Sequence, residues 1–215
     1  MGDVITGSGH FSGSNPGGKL GMSETIAVAS VAVLMVTSIL LILNINWRLN
    51  IIFLGVQYLA AFFLFTLVFP LTLAAVKLIV GWMSIAILGS AIPPVENLKY
   101  TSINRAGRLF RLMAAGMAVM VTFSIAPLVV DIIPTGLVIV WGGVILLAMG
   151  LLQLGMTTQP GNVIIGLLTV LCGFDILYAA VESSVLVVGL LALTTLGLAL
   201  SGSYFISPEL GDEEI

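Results

Sequence analysis

A chain of 215 residues that is 59% hydrophobic and 8% charged lies outside the range of soluble domains, which carry about 25% charged residues. Its formal net charge of -3, with most cations gathered near one loop, excludes a basic nucleic-acid surface. A single cysteine, Cys172, and a single histidine, His10, exclude an internal disulfide, a Cys/His metal cluster and bis-histidine haem ligation in the membrane.

The apolar runs are continuous and not alternating, so the expected fold is all-α, a polytopic membrane helix bundle and not a barrel. Residues 1–22 are rich in Gly and Ser and include Asn15-Pro16-Gly17-Gly18, a composition that buries too little apolar area to order itself. They are expected to form a flexible tail holding His10. A basic start and a short apolar core are missing, so it does not read as a signal peptide.

The membrane domain is expected over residues 23–206. Residues 25–45 are long enough to cross about 30 Å of hydrocarbon at about 1.5 Å per residue. Asn44, Asn46, Trp47, Arg48 and Asn50 make a polar turn, with Trp47 at interfacial depth. Residues 51–91 are too long for one span, and Pro70 starts a helix better than it continues one. A hairpin at Phe69-Pro70 divides them into a second helix carrying Gln57 and a third carrying Lys77.

Pro93-Pro94 ends the third helix, and the cationic connection follows with Glu96, Lys99, Arg105, Arg108 and Arg111. A fourth helix runs to about Val130 and is expected to kink at Pro127; Asp131 and Pro134 close it. Residues 135–156, 162–181 and 185–205 supply helices five to seven. An acidic tail over 207–215 contains Glu209, Asp212, Glu213 and Glu214. Arg48 and the cationic loop put five Lys/Arg on one side against Lys19 on the other. That side is therefore expected to be cytoplasmic, with the amino terminus outside and the carboxy terminus inside.

On the sixth helix Thr169, Cys172, Asp175, Tyr178 and Glu182 recur every three or four residues, which places them on one inward face. A carboxylate within the bilayer costs from about 2.5 kcal/mol upwards, so Asp175 should face protein, water or a counter-charge. Asp175 lies seven residues from Glu182, and Lys77 lies seven residues from Pro70. Both charges therefore sit about 10 Å below the outer boundary, and the matched depths predict that they meet. Such a pair serves as a proton or cation relay or as an ion pair holding two helices together; Gln57 and Glu182 are lesser relay candidates.

Blander readings apply elsewhere. Gln57 is expected as an amide bonded across helices, with a hydrated path as the alternative. Asp131 and Glu182 are expected as solvated carboxylates near the outer interface, and Gln153 as interfacial. Gly142, Gly143, Gly150 and Gly189 should permit close helix approach, while Trp82 and Trp141 face lipid or a partner. There is no phosphate-cradling loop, no metal cluster and no histidine to serve a catalytic serine. The extramembrane loops are too short for an active site, so catalysis by this chain alone is not expected.

The segment Leu171-Cys172-Gly173-Phe174-Asp175-Ile176-Leu177-Tyr178-Ala179-Ala180-Val181 resembles the second-helix motif of the subunit K class of complex I and related cation/proton antiporters. There Gly-x-Glu precedes apolar and small residues, and Asp175 takes the place of the Glu. The order upstream, an Asn/Arg turn, a helix with Gln57 and a helix with Lys77 followed by Ile92-Pro93, resembles component E of the membrane-bound (group 4) hydrogenases. The resemblance covers residues 27–205. It implies an accessory membrane subunit of a complex-I-like or hydrogenase-like respiratory assembly in a prokaryotic inner membrane, beside other membrane subunits and proton or sodium movement, with no redox cofactor in this chain. The family's second acid would fall near Leu193 or Thr194 and is absent, so a two-acid path does not carry over and a scaffolding role gains weight. A small secondary transporter and a purely structural subunit are the rival classes; a transporter would usually show internal repeats with broken helices.

Overall fold

The computed structural model describes residues 16–44, 46–91, 105–132, 136–181 and 184–206. Among them the chain forms seven helices and no strand: α1 Pro16–Leu43, α2 Trp47–Phe65, α3 Leu71–Ser90, α4 Arg105–Ile132, α5 Leu137–Met156, α6 Pro160–Val181 and α7 Val185–Ile206. All seven are long and apolar enough to cross a membrane, as a polytopic helix bundle requires. With no water in the hydrocarbon, each helix satisfies its own backbone.

One boundary differs from the sequence expectation. Helix α1 begins at Pro16, so residues 16–22, read above as flexible tail, are helical. Proline at a first helical position gives up only an N–H that would be unsatisfied there anyway, and its φ is already helical. The Gly-rich composition that follows weakens a helix without forbidding one.

The Pro70 hairpin is present. Helix α2 closes through Thr66, whose hydroxyl donates to the Phe63 carbonyl oxygen at 2.7 Å, and the Phe69 N–H still reaches the Phe65 carbonyl oxygen at 2.8 Å. Pro70 then stands before the first residue of α3 with extended ψ, 147°, and the ladder ends because a residue before proline is pushed away from helical geometry.

Helix neighbours define the architecture. The hairpin-connected helices α1, α2 and α3 stand side by side as one row, and α5, α6 and α7 stand as a second. The rows pack face to face, α1 on α5, α2 on α6 and α3 on α7. Helix α4 connects the rows from outside and packs on α5 and α1. Its buried residues are the single stripe Ala115, Thr122 and Ala126, and Phe123 meets Trp141 of α5 edge to face at 4.2 Å. Trp82 is exposed on α3.

Helices α5 and α6 approach closely through small residues. A Cβ built on Gly173 would stand 2.8 Å from the Gly143 carbonyl oxygen, and one on Gly150 3.1 Å from the Gly166 carbonyl oxygen. Gly142 has the Leu64 side chain of α2 against it. Gly189 differs from its expectation: nothing lies within 4 Å of a Cβ there, because it is on a side of α7 that no neighbour covers.

Candidate functional site

Helices α2 and α6 are the middle members of their rows, so each is covered on several sides. Around them α3 and α7 complete a four-helix square whose edges are α2 with α3, α3 with α7, α7 with α6 and α6 with α2. Helices α3 and α6 are then diagonal, and none of their Cα atoms come within 8 Å of one another. A long lysine side chain bridges that diagonal. Lys77 Nζ of α3 donates to Asp175 Oδ2 of α6 at 2.7 Å.

The two side chains are 4% and 6% exposed, which is what makes the contact consequential. Water scarcely screens a pair so buried, and two charges removed from water must compensate one another. The second carboxylate oxygen, Oδ1, has no hydrogen-bond partner within the protein. Tyr58 of α2 and Cys172 of α6 lie within electrostatic reach of Asp175, and the Tyr58 hydroxyl is likewise buried without a partner. Its ring lies across Gly81 of α3, where a Cβ would collide with it.

The structure thus brings Lys77 and Asp175 together, as their matched depths predicted. The stripe on α6 is inward over Thr169, Cys172 and Asp175, all buried, and half-buried at Tyr178; Glu182 lies outside the described residues. Asp131 is exposed at the end of α4.

Gln57 departs from its expectation. It is 0% exposed, yet neither its amide oxygen nor its nitrogen has a partner within the protein, so it is not an amide tying helices together. Position explains this: the apolar helices around it offer few groups that can donate or accept, since their backbone groups are already spent.

No family model, curated protein or solved structure matches the chain.

A second polar layer, which the sequence reading missed, lies at the Asn50 end of the same two helices. Asn50, 0% exposed, donates through Nδ2 to Asn162 Oδ1 of α6 at 3.2 Å and to the Asn44 carbonyl oxygen at 3.4 Å. Asn162 Nδ2 donates to Gln159 Oε1 at 3.1 Å. Gln153 Nε2 donates to the Asn162 carbonyl oxygen at 3.3 Å, so Gln153, close to the end of α5 as expected, is buried beneath the first turn of α6. Arg111 Nη1 donates to the Ile42 carbonyl oxygen at the end of α1, at 3.0 Å. A cleft of about 10 Å³, about the size of one water, is lined by Asn44, Arg111, Gln153 and Asn162 among others. The signal that could have found this layer is the seven-residue spacing: Asn50 precedes Gln57, and Asn162 precedes Thr169, by seven.

Among the described residues no group of three or more His, Cys, Asp and Glu could hold a metal ion. The arrangement offers instead one acid with a free oxygen, one ammonium against it, and neutral hydroxyl, thiol and amide groups nearby.

Proposed function

We propose that the chain is an accessory integral-membrane subunit of a complex-I-like or membrane-hydrogenase-like respiratory assembly, in which Lys77 and Asp175 relay protons or cations. The observation that carries this reading is the Lys77 to Asp175 contact of 2.7 Å across the diagonal of the bundle, with one carboxylate oxygen left free. A pair serving only to join helices gains most when every lone pair is satisfied. One with a spare acceptor can take a proton from a neighbouring donor, and the ammonium beside it biases where that proton rests.

The resemblance of residues 171–181 to the subunit K class supports the assembly, and the upstream order of Gln57, Lys77 and Ile92-Pro93 supports the hydrogenase-like branch. In this reading the Asn50 end faces the cytoplasm, since Arg48, Arg105, Arg108 and Arg111 are at the helix ends on that side. The membrane is a prokaryotic inner membrane, with the amino terminus outside.

A scaffolding role is the second reading. It is favoured by α7, where the position of the family's second acid is occupied by Leu193, 68% exposed, and by Thr194, whose hydroxyl returns to the Leu190 carbonyl oxygen. Purification from native membranes in mild detergent tests the assignment. Co-purification with large antiporter-like subunits is the expected result. A stable monomer that carries solute across vesicles would overturn it in favour of a secondary transporter.

A further inference from the structure

Six buried polar atoms without a partner in the protein lie along one helix pair: Trp47 Nε1, Asn50 Oδ1, Gln57 Oε1, Gln57 Nε2 and Tyr58 Oη on α2, and Asp175 Oδ1 on α6. Helices α2 and α6 run in the same direction, and the bond from Asn50 to Asn162 fixes their register. Seven residues on, two turns later and on nearly the same face, Gln57 stands level with Thr169. Beyond these come Tyr58, then Cys172, then Asp175 with Lys77. The polar atoms are therefore strung from one end of the α2 and α6 interface to the ion pair.

The other end is different. Outward from Asp175 the buried residues are Leu64, Phe65, Phe69, Ala74, Ala179 and Val188, with Phe65 and Phe69 stacked at 6.4 Å. Among the described residues, none of these buried side chains can hold water by hydrogen bonds, and the hydroxyls beyond Asp175, such as that of Tyr178, are on half-buried residues nearer the surface.

We propose that the α2 and α6 interface is a one-sided, water-filled entry route that leads protons from the Asn50 and Asn162 layer to Asp175, closed beyond the ion pair by the apolar plug. The inference rests on the relay reading and adds to it the route and the carried species. A buried polar atom left dry keeps the full penalty of its lost hydration. Polar atoms of both senses, amide donor and oxygen acceptors, are what buried waters need to be held in place. The cleft beside Asn44 and Asn162 is the mouth. The route suits protons and not sodium, because a cation reaching Asp175 meets the Lys77 ammonium already seated on Oδ2. A proton needs only a hydrogen-bonded chain, on which it moves by exchange from one oxygen to the next until Asp175 Oδ1 takes it.

Cys172, the one cysteine of the chain, is 2% exposed and sits beside this route, so its S–H stretch is a single, native reporter. The full-length protein in lipid films is exposed to D2O, and conversion of the S–H band to S–D is followed by infrared spectroscopy alongside the backbone amide bands. The expected result is S–H exchange well ahead of the backbone of the spans, slowed by about tenfold in Gln57→Leu, the order expected when a hydrogen-bonding station is removed. Gly189→Ala, on an uncovered side of α7 away from the route, should leave it unchanged. An S–H band that persists as long as the slowest amides, or one that exchanges equally fast in Gln57→Leu, overturns the proposal. Exchange reads water and not coupling, so a wet route in a chain whose Asp175 variants remain fully coupled would sink the relay and leave the route standing.

Discussion

Gly173 of α6 and Gly143 of α5 meet backbone to backbone. A Cβ added at Gly173 would stand 2.8 Å from the Gly143 carbonyl oxygen and 2.8 Å from the Leu147 nitrogen, and one at Gly143 would stand 3.2 Å from the Gly173 carbonyl oxygen. Neither obstacle is a flexible side chain that can swing away, so the helices must separate to admit a methyl group. Because Gly173 precedes Asp175 by two residues, the same close approach sets where the carboxylate stands.

Gly173→Ala is therefore expected to destabilise the chain by about 1 to 3 kcal/mol, the usual cost of overpacking. Gly189→Ala, with open space around its Cβ, serves as the matched control and should change stability little. Unfolding of the purified protein in detergent, compared between the two variants, checks the difference; equal midpoints would mean that the α5 and α6 contact yields easily.

Arg111 reaches the end of α1 from α4, and its bond to the Ile42 carbonyl oxygen caps one of the last carbonyls of that helix, groups for which the helix has no N–H of its own. A cation at a helix carboxy terminus is also favoured by the helix dipole. Arg111→Gln should cost about 1.5 to 3 kcal/mol, the range for a hydrogen bond to a charged group, and should loosen α4 first. Limited proteolysis within the connection before α4 is the readout, and unchanged cleavage rates would contradict the capping role.

Gln57→Leu separates stability from access. An apolar side chain of similar size removes two unpartnered polar atoms, so thermal stability is expected to hold or rise by about 1 kcal/mol, even though proton supply to Asp175 falls. A clear drop in melting temperature would contradict this expectation.

Several of these features were legible in the sequence, and the reason is geometric. Apolar runs of helix length with Pro70 between two of them dictate spans and hairpins, because the lipid leaves the backbone little choice. Depth can be counted along a helix, so Lys77 and Asp175 could be matched before either had a neighbour. What counting cannot supply is azimuth. In helices that are apolar on every side, the buried face depends on which helices stand adjacent, and that is why Gly189 was expected as a contact and the burial of Gln153 was not foreseen. The layer of Asn50 and Asn162 was hidden for a related reason. Each residue looks like part of a turn, and only the pairing of α2 with α6 turns two ordinary helix starts into one buried bond.

Removing one partner of a buried ion pair leaves the other charge uncompensated, at a cost of about 3 to 5 kcal/mol, while replacing both by apolar side chains of similar volume is often neutral or better. Lys77→Met and Asp175→Leu made singly should therefore lower stability and yield, and the double variant should recover most of both. Because the two side chains touch, their effects are expected to be strongly non-additive.

That recovery supplies the most direct test of the relay. In native membranes carrying the Lys77→Met/Asp175→Leu double variant, ion translocation is measured per electron transferred by the proposed assembly, with its integrity confirmed by co-purification of the subunits that proposal requires. Intact assembly and electron transfer with translocation lost or sharply reduced is the predicted result. Intact assembly with translocation at the level of the unmodified protein would contradict it, and would leave the pair as a bond between helices.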